Sequence, residues 1–212
     1  MKKIRNLSVL YLLGIAMMLF NFDAALGQTP PPCPTAPPPI TIPYSSSYCV
    51  HLPIGYSGCS GWICYCERTI GIYHDIAMTS VTPDPSTACD AMSWRDIILN
   101  AEQSLMQSVS HGEHIGPCDG TVHDTLSMNM GSCWNLLTYD PLHPPPSFTI
   151  QLCLGNTGWC QIYYSLCSDL GAIEVTEVGS SYIPGDCGIS PPGSNGLYQS
   201  GTCYQMFFGC PY

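Results

Sequence analysis

Trp62-Ile63-Cys64-Tyr65-Cys66-Glu67-Arg68-Thr69-Ile70-Gly71-Ile72-Tyr73-His74-Asp75-Ile76-Ala77-Met78-Thr79-Ser80-Val81 is rich in β-branched, aromatic and cysteine residues and is broken once, by glycine. Such residues pack well on a pleated surface, and glycine supplies the turn between two strands. The stretch reads as a β-hairpin, Trp62 to Ile70 against Ile72 to Val81. A second stretch of the same kind runs from Trp159 to Cys167 and, beyond Gly171, from Ala172 to Val178. Ile173, Val175 and Glu177 alternate there with Glu174, Thr176 and Val178, the period of a strand.

Around the two hairpins other features recur in the same order. Pro37-Pro38-Pro39-Ile40-Thr41-Ile42 is echoed by Pro144-Pro145-Pro146-Ser147-Phe148-Thr149-Ile150. Ser57-Gly58-Cys59-Ser60-Gly61-Trp62 is echoed by Gly155-Asn156-Thr157-Gly158-Trp159. Each hairpin leads to a cysteine in a Pro-containing loop, Cys89 or Cys187. Each unit closes on related strands, Gly131-Ser132-Cys133-Trp134 and Gly201-Thr202-Cys203-Tyr204. The first copy carries an insertion with one helical pattern. Ser93 and Asp96 form a capping box, and Trp94, Ile97, Ile98, Ala101, Leu105 and Val109 follow at helical spacing. The expected class is mostly β and disulfide-rich: two tandem small antiparallel β units related by internal duplication, with one α-helix inserted in the first. The first unit spans 37–140 with its helical insertion at about 93–110, and the second spans 144–212.

The N-terminal segment reads differently. Lys2, Lys3 and Arg5 precede an apolar run from Val9 to Phe20, and the small residues Ala25 and Gly27 stand at −3 and −1 of a cut after Gly27. This is the pattern of a secretory signal peptide over 1–27, and the apolar run is shorter than the ~20 residues that span a bilayer. A Pro-rich extended leader follows over 28–43, with eight prolines between Pro30 and Pro43. No later segment is apolar enough to span a membrane once the signal is removed.

Export gives the cysteines their meaning. The chain holds 14 of them: Cys33, Cys49, Cys59, Cys64, Cys66, Cys89, Cys118, Cys133, Cys153, Cys160, Cys167, Cys187, Cys203 and Cys210. An even count in an oxidising compartment implies disulfides, although spacing does not give the connectivity. The pair Cys64 and Cys66 offers two thiols on one strand face, a soft-metal geometry that disulfide formation would remove. Each unit without its insertion is small enough for its core alone to be marginal, so covalent staples have a physical purpose.

Charge narrows the partners. The net charge is −10, and only Arg68 and Arg95 remain positive beyond the signal segment. Binding nucleic acid requires clustered Lys and Arg to neutralise phosphates, so that class of partner is excluded. Only 9 % of residues are charged and 45 % are hydrophobic, the opposite of a disordered composition.

Three constellations carry candidate chemistry. Gly131-Ser132-Cys133-Trp134 resembles the segment around the nucleophile of papain-like cysteine proteases. The resemblance covers four residues. Ser127 and Met130 stand where that family has Gln and Cys, and no distant downstream His follows, so Cys133 reads as half of a cystine. His111, His114 and His123, with Glu113, Asp119 and Asp124 nearby, form a candidate zinc site with a carboxylate available as general base. The competing reading places His111 at a helix C-terminus and the other two in a solvated loop. Trp62 and Trp159, at matching places in the two hairpins, are candidate aromatic platforms for sugar rings, or else core residues.

The leading expectation is a secreted, disulfide-stapled structural, adhesive or binding protein of the extracellular space, cell surface or periplasm, without catalysis or cofactor. It would act by self-association or by holding a glycan or surface partner. One alternative is a zinc-dependent hydrolase centred on His111, His114 and His123. A second is a glycan- or small-ligand-binding module.

Overall fold

The computed structural model describes residues 30–35, 42–55, 58–71, 73–110, 117–119, 124–138, 148–153, 158–169, 172–185, 187, 202–207 and 210. The signal segment lies outside these residues, as does part of the Pro-rich leader. The first hairpin forms where the sequence places it, as β2 (Ser60–Ile70) and β3 (Tyr73–Pro83), and it closes on the pair Ile70 and Tyr73. Gly71 sits at φ +65°, a left-handed conformation that a β-branched residue resists. The second hairpin is β7 (Trp159–Asp169) with β8 (Ala172–Ile183), closing on Asp169 and Ala172. Both hairpins contain a bulge. The register steps from Cys64–Ser80 to Tyr65–Met78 in the first, so Thr79 is the extra residue. It steps from Tyr163–Gly179 to Tyr164–Glu177 in the second, so Val178 is the extra residue.

The remaining strands are β1 (Ser46–Pro53), β4 (Asp124–Gly131), β5 (Cys133–Thr138), β6 (Phe148–Leu152) and β9 (Cys203–Gln205). All nine described strands join one mixed sheet, along the path β8-β7-β4-β3-β6-β5-β9, with β2 attached to β3 and β1 to β2. This corrects the expected layout of two all-antiparallel units. Strands from the two halves of the chain interleave: β3 pairs with β6, β4 with β7 and β5 with β9. An internal duplication is therefore not shown, although the fold is mostly β with one long helix, as expected. The pairing of β3 with β4 is parallel, from Tyr73–Thr125 to Ala77–Asn129. A parallel pair needs a crossover, and the helical insertion supplies it.

The connection from β3 to β4 contains α1 (Thr87–Asp90) and, within the insertion, α2 (Trp94–Ser110). The Ser93 hydroxyl accepts from the Asp96 backbone N–H at 3.2 Å and donates to the Asp96 carboxylate at 2.6 Å, the expected cap. α1 is a single turn capped by Ser86, whose hydroxyl accepts from the Cys89 N–H at 3.2 Å. α2 lies against β1, β3 and β4. Its buried stripe, Ile97, Ile98, Ala101 and Leu105, meets a core that includes Ile54, Ile63, Ile76, Met78, Leu126 and Met128. Burying side chains of this kind contributes about 1.5–3 kcal/mol each.

All fourteen cysteines are paired: Cys33–Cys66, Cys49–Cys64, Cys59–Cys89, Cys118–Cys167, Cys133–Cys187, Cys153–Cys203 and Cys160–Cys210. Three disulfides close within 33–89 and four within 118–210, and none joins the two groups. The two groups meet through the β3–β4 and β3–β6 ladders and through the packing of α2 on β1, β3 and β4.

Candidate functional site

A row of buried polar side chains crosses four neighbouring strands. Arg68 on β2 faces Asp75 on β3 in register, and the Arg68 Nε donates to the Asp75 Oδ2 at 2.6 Å. The Arg68 Nη2 forms an ion pair with the same oxygen, and its Nη1 donates to the Ile42 carbonyl. On the other side, the Asn129 amide of β4 donates to the Asp75 Oδ1 at 2.5 Å and to the Ile76 carbonyl at 3.1 Å. The Gln161 amide of β7 donates to the Asn129 Oδ1 at 2.9 Å. Arg68, Asp75, Asn129 and Gln161 are only 2, 3, 1 and 4 % exposed, so the row is closed to ligands. The guanidinium also lies 4.7 Å from the centre of the Tyr44 ring. Burial, reinforced by the Asp75 carboxylate, holds the Tyr44 phenol far above its ordinary range, and Arg68 opposes this only in part. Together with Cys33–Cys66, these contacts anchor the segment before β1 onto the sheet.

An exposed cluster sits at the far end of the first hairpin. The His51 Nε2 lies 2.8 Å from the Asp84 Oδ2, and the Ser60 hydroxyl donates to that oxygen at 2.6 Å. The carboxylate stands between Ser60 and His51. A serine nucleophile needs an imidazole directly on its hydroxyl, so this order does not build one. The His51 ring meets Trp62 edge-on at 5.3 Å. Trp62 is half-buried, which leaves part of its indole at the surface.

A groove of about 530 Å³ opens between the end of β1 and α2. Leu52, Pro53 and Gly55 form its sheet side. Asn100, Gln103, Ser104, Gln107 and Ser108 form its helix side. The volume is in the range of ligand pockets, about 300–1,000 Å³, and the described lining carries no ionisable side chain. Gly55 is at φ +74°, and a Cβ there would lie 2.9 Å from the Asn100 Oδ1. Glycine thus serves both the turn and the close approach of the helix.

The candidates read from the sequence fare differently. His111, His114 and His123 lie outside the described residues. Cys133 is bonded to Cys187 and has no thiol to act as a nucleophile. Cys64 and Cys66 are bonded to Cys49 and Cys33 and offer no thiolate to a metal. Cys118, Cys167 and Glu174 also lie close together, but the two sulfurs form a disulfide. Trp159 is 2 % exposed and packed in the core, whereas Trp62 reaches the surface. The stacking expectation therefore passes to Trp62.

Two features went unread in the sequence. The groove joins residues about fifty positions apart, and its polar helix stripe looks like any solvated face until β1 is laid beside it. The Asp75–Asn129 contact needs the parallel pairing of β3 and β4, which no local pattern encodes. Among the described residues, no helix is long and apolar enough to cross a membrane. No protein-family model, curated protein or solved structure matches this chain. The fold and its groups thus define a class in chemical terms: a disulfide-rich β protein with a crossover helix and an open groove whose described lining carries no charge.

Proposed function

We propose that the protein is a secreted, non-catalytic binding scaffold of the extracellular space or cell surface. The observation that carries this reading is the pairing of all fourteen cysteines, with none left free. Disulfides persist in oxidising compartments and resist the unfolding that exposes a chain to proteases. The signal pattern at 1–27 supports export, and the scarcity of Lys and Arg argues against a nucleic-acid partner. Such a body presents rigid surfaces at little entropic cost, which favours adhesion or ligand capture.

The test is to purify the protein from an oxidising compartment and to measure its retention on intact cells and extracellular matrix, before and after reduction. Hydrolysis of peptide, ester and glycoside substrates is followed in parallel, with added zinc. Retention that is lost on reduction, without turnover, is the expected result. Zinc-dependent turnover that disappears when His111, His114 and His123 are replaced by Ala would overturn the reading in favour of a hydrolase.

A further inference from the structure

We infer that the groove between α2 and the end of β1 binds a neutral oligosaccharide. This rests on the reading of the chain as a binding protein and names the chemistry of its ligand. Asn100, Gln103, Ser104 and Gln107 follow one another at the i, i+3, i+4 and i+7 spacing that forms a single stripe on a helix. That stripe is distinct from the buried one of Ile97, Ile98, Ala101 and Leu105. Each amide carries donors and an acceptor, and each hydroxyl can act as either. This inventory matches the adjacent hydroxyls of a sugar, which also donate and accept. Across the groove, Leu52 and Pro53 offer apolar surface suited to the C–H face of a sugar ring.

Charge decides against the other ligand classes. The described lining has no Lys, Arg or His to hold a phosphate or carboxylate, and no Asp or Glu to hold an ammonium group. The chain as a whole is at −10, so an anion is repelled at longer range as well. A neutral polyol incurs neither penalty.

The wall is preorganised. The Asn100 Nδ2 donates to the Asp96 carbonyl at 2.7 Å, which fixes the plane of that amide. The turn carrying Gly55 is closed by the Ile54 N–H donating to the Cys59 carbonyl at 2.8 Å. Cys59 is in turn bonded to Cys89, just before α2. The ordering cost on binding then falls on exposed side chains such as Gln103 and not on the backbone of the walls.

The experiment is calorimetric titration of the oxidised protein with neutral tetrasaccharides of glucose, galactose, xylose and N-acetylglucosamine. A tetramer of uronic acids serves as the charged probe. Binding of at least one neutral tetrasaccharide is expected, with weaker binding of the uronic acid tetramer. Gln103 is exposed, so Gln103→Ala leaves the fold intact by circular dichroism and weakens that binding about three- to tenfold. Ser104→Leu, which fills the groove, abolishes it. Absence of binding to every neutral tetrasaccharide overturns the inference. So does binding that Trp62→Ala removes and Gln103→Ala leaves unchanged, because the ligand then sits on the other face of β1. Retention on cells without oligosaccharide binding sinks the groove assignment alone, whereas turnover without retention sinks the scaffold reading as well.

Discussion

Asn129 donates to Asp75 at 2.5 Å across the parallel junction of β3 and β4. The contact joins the two covalent groups of the molecule, since Asp75 lies within 33–89, which holds three disulfides, and Asn129 within 118–210, which holds four. The sheet is continuous there although the disulfide network is not. Arg68 completes the junction by neutralising Asp75 from the opposite side.

Removing one partner of this buried pair strands the other charge. Arg68→Met should destabilise the protein by about 3–5 kcal/mol, and Asn129→Ala by about 1–3 kcal/mol. Urea unfolding with the disulfides intact measures both. The double variant Arg68→Met with Asp75→Leu should lose less than the sum of the two single changes, because no unpaired ion remains. Additive losses would show that the two groups are not coupled.

The two disulfide groups can be separated chemically. Beyond the N-terminal segment the only tryptic sites are Arg68 and Arg95. Digestion of the unfolded, unreduced protein should release two species, one ending at Arg95 and one running from Asp96 to Tyr212. The cut at Arg68 stays masked by Cys59–Cys89 until reduction. Mass spectrometry of the unreduced digest decides the matter: a single species joined across Arg95 would mean that some disulfide crosses between the groups.

Alkaline pH should unfold the protein cooperatively. Burial raises the phenol pKa of Tyr44 and Tyr164 above the ordinary value of 10.0, with Asp75 adding to the first and Glu102 to the second. Below pH about 10 both states hold these protons, and the stability is intact. Above it the unfolded chain releases them while the folded protein retains them, so stability falls as pH rises. Absorbance at 295 nm followed alongside circular dichroism should show these tyrosines ionising together with loss of structure. A full tyrosine titration that precedes unfolding would contradict the assignment.

The Ser93 cap makes a local prediction. Ser93→Ala removes the acceptor for the Asp96 N–H and the partner of its carboxylate. A loss of about 0.5–2 kcal/mol is expected, read as a lower urea midpoint at unchanged slope. Ser93→Asp should restore most of it, which separates the capping role from any packing role.

Much of this protein was determined by local sequence. The β-branched and aromatic runs, each broken by glycine, specify the two hairpins because side-chain sterics and turn conformation act over a few residues. Ser93 and Asp96 specify the start of α2 for the same reason, and fourteen cysteines after an export pattern specify a cystine-stapled protein. Tertiary structure decided everything that depends on which distant strands meet. The recurring motifs suggested two tandem units, a duplication that is not shown: β6 pairs with β3 and β7 with β4, because a strand edge is satisfied by any ladder of the right length, not only by its sequence neighbour. The seven cystine partners, the buried row from Arg68 to Gln161 and the groove beside Asn100 all follow from that choice. They rest on contacts between residues tens of positions apart, which local propensity does not record.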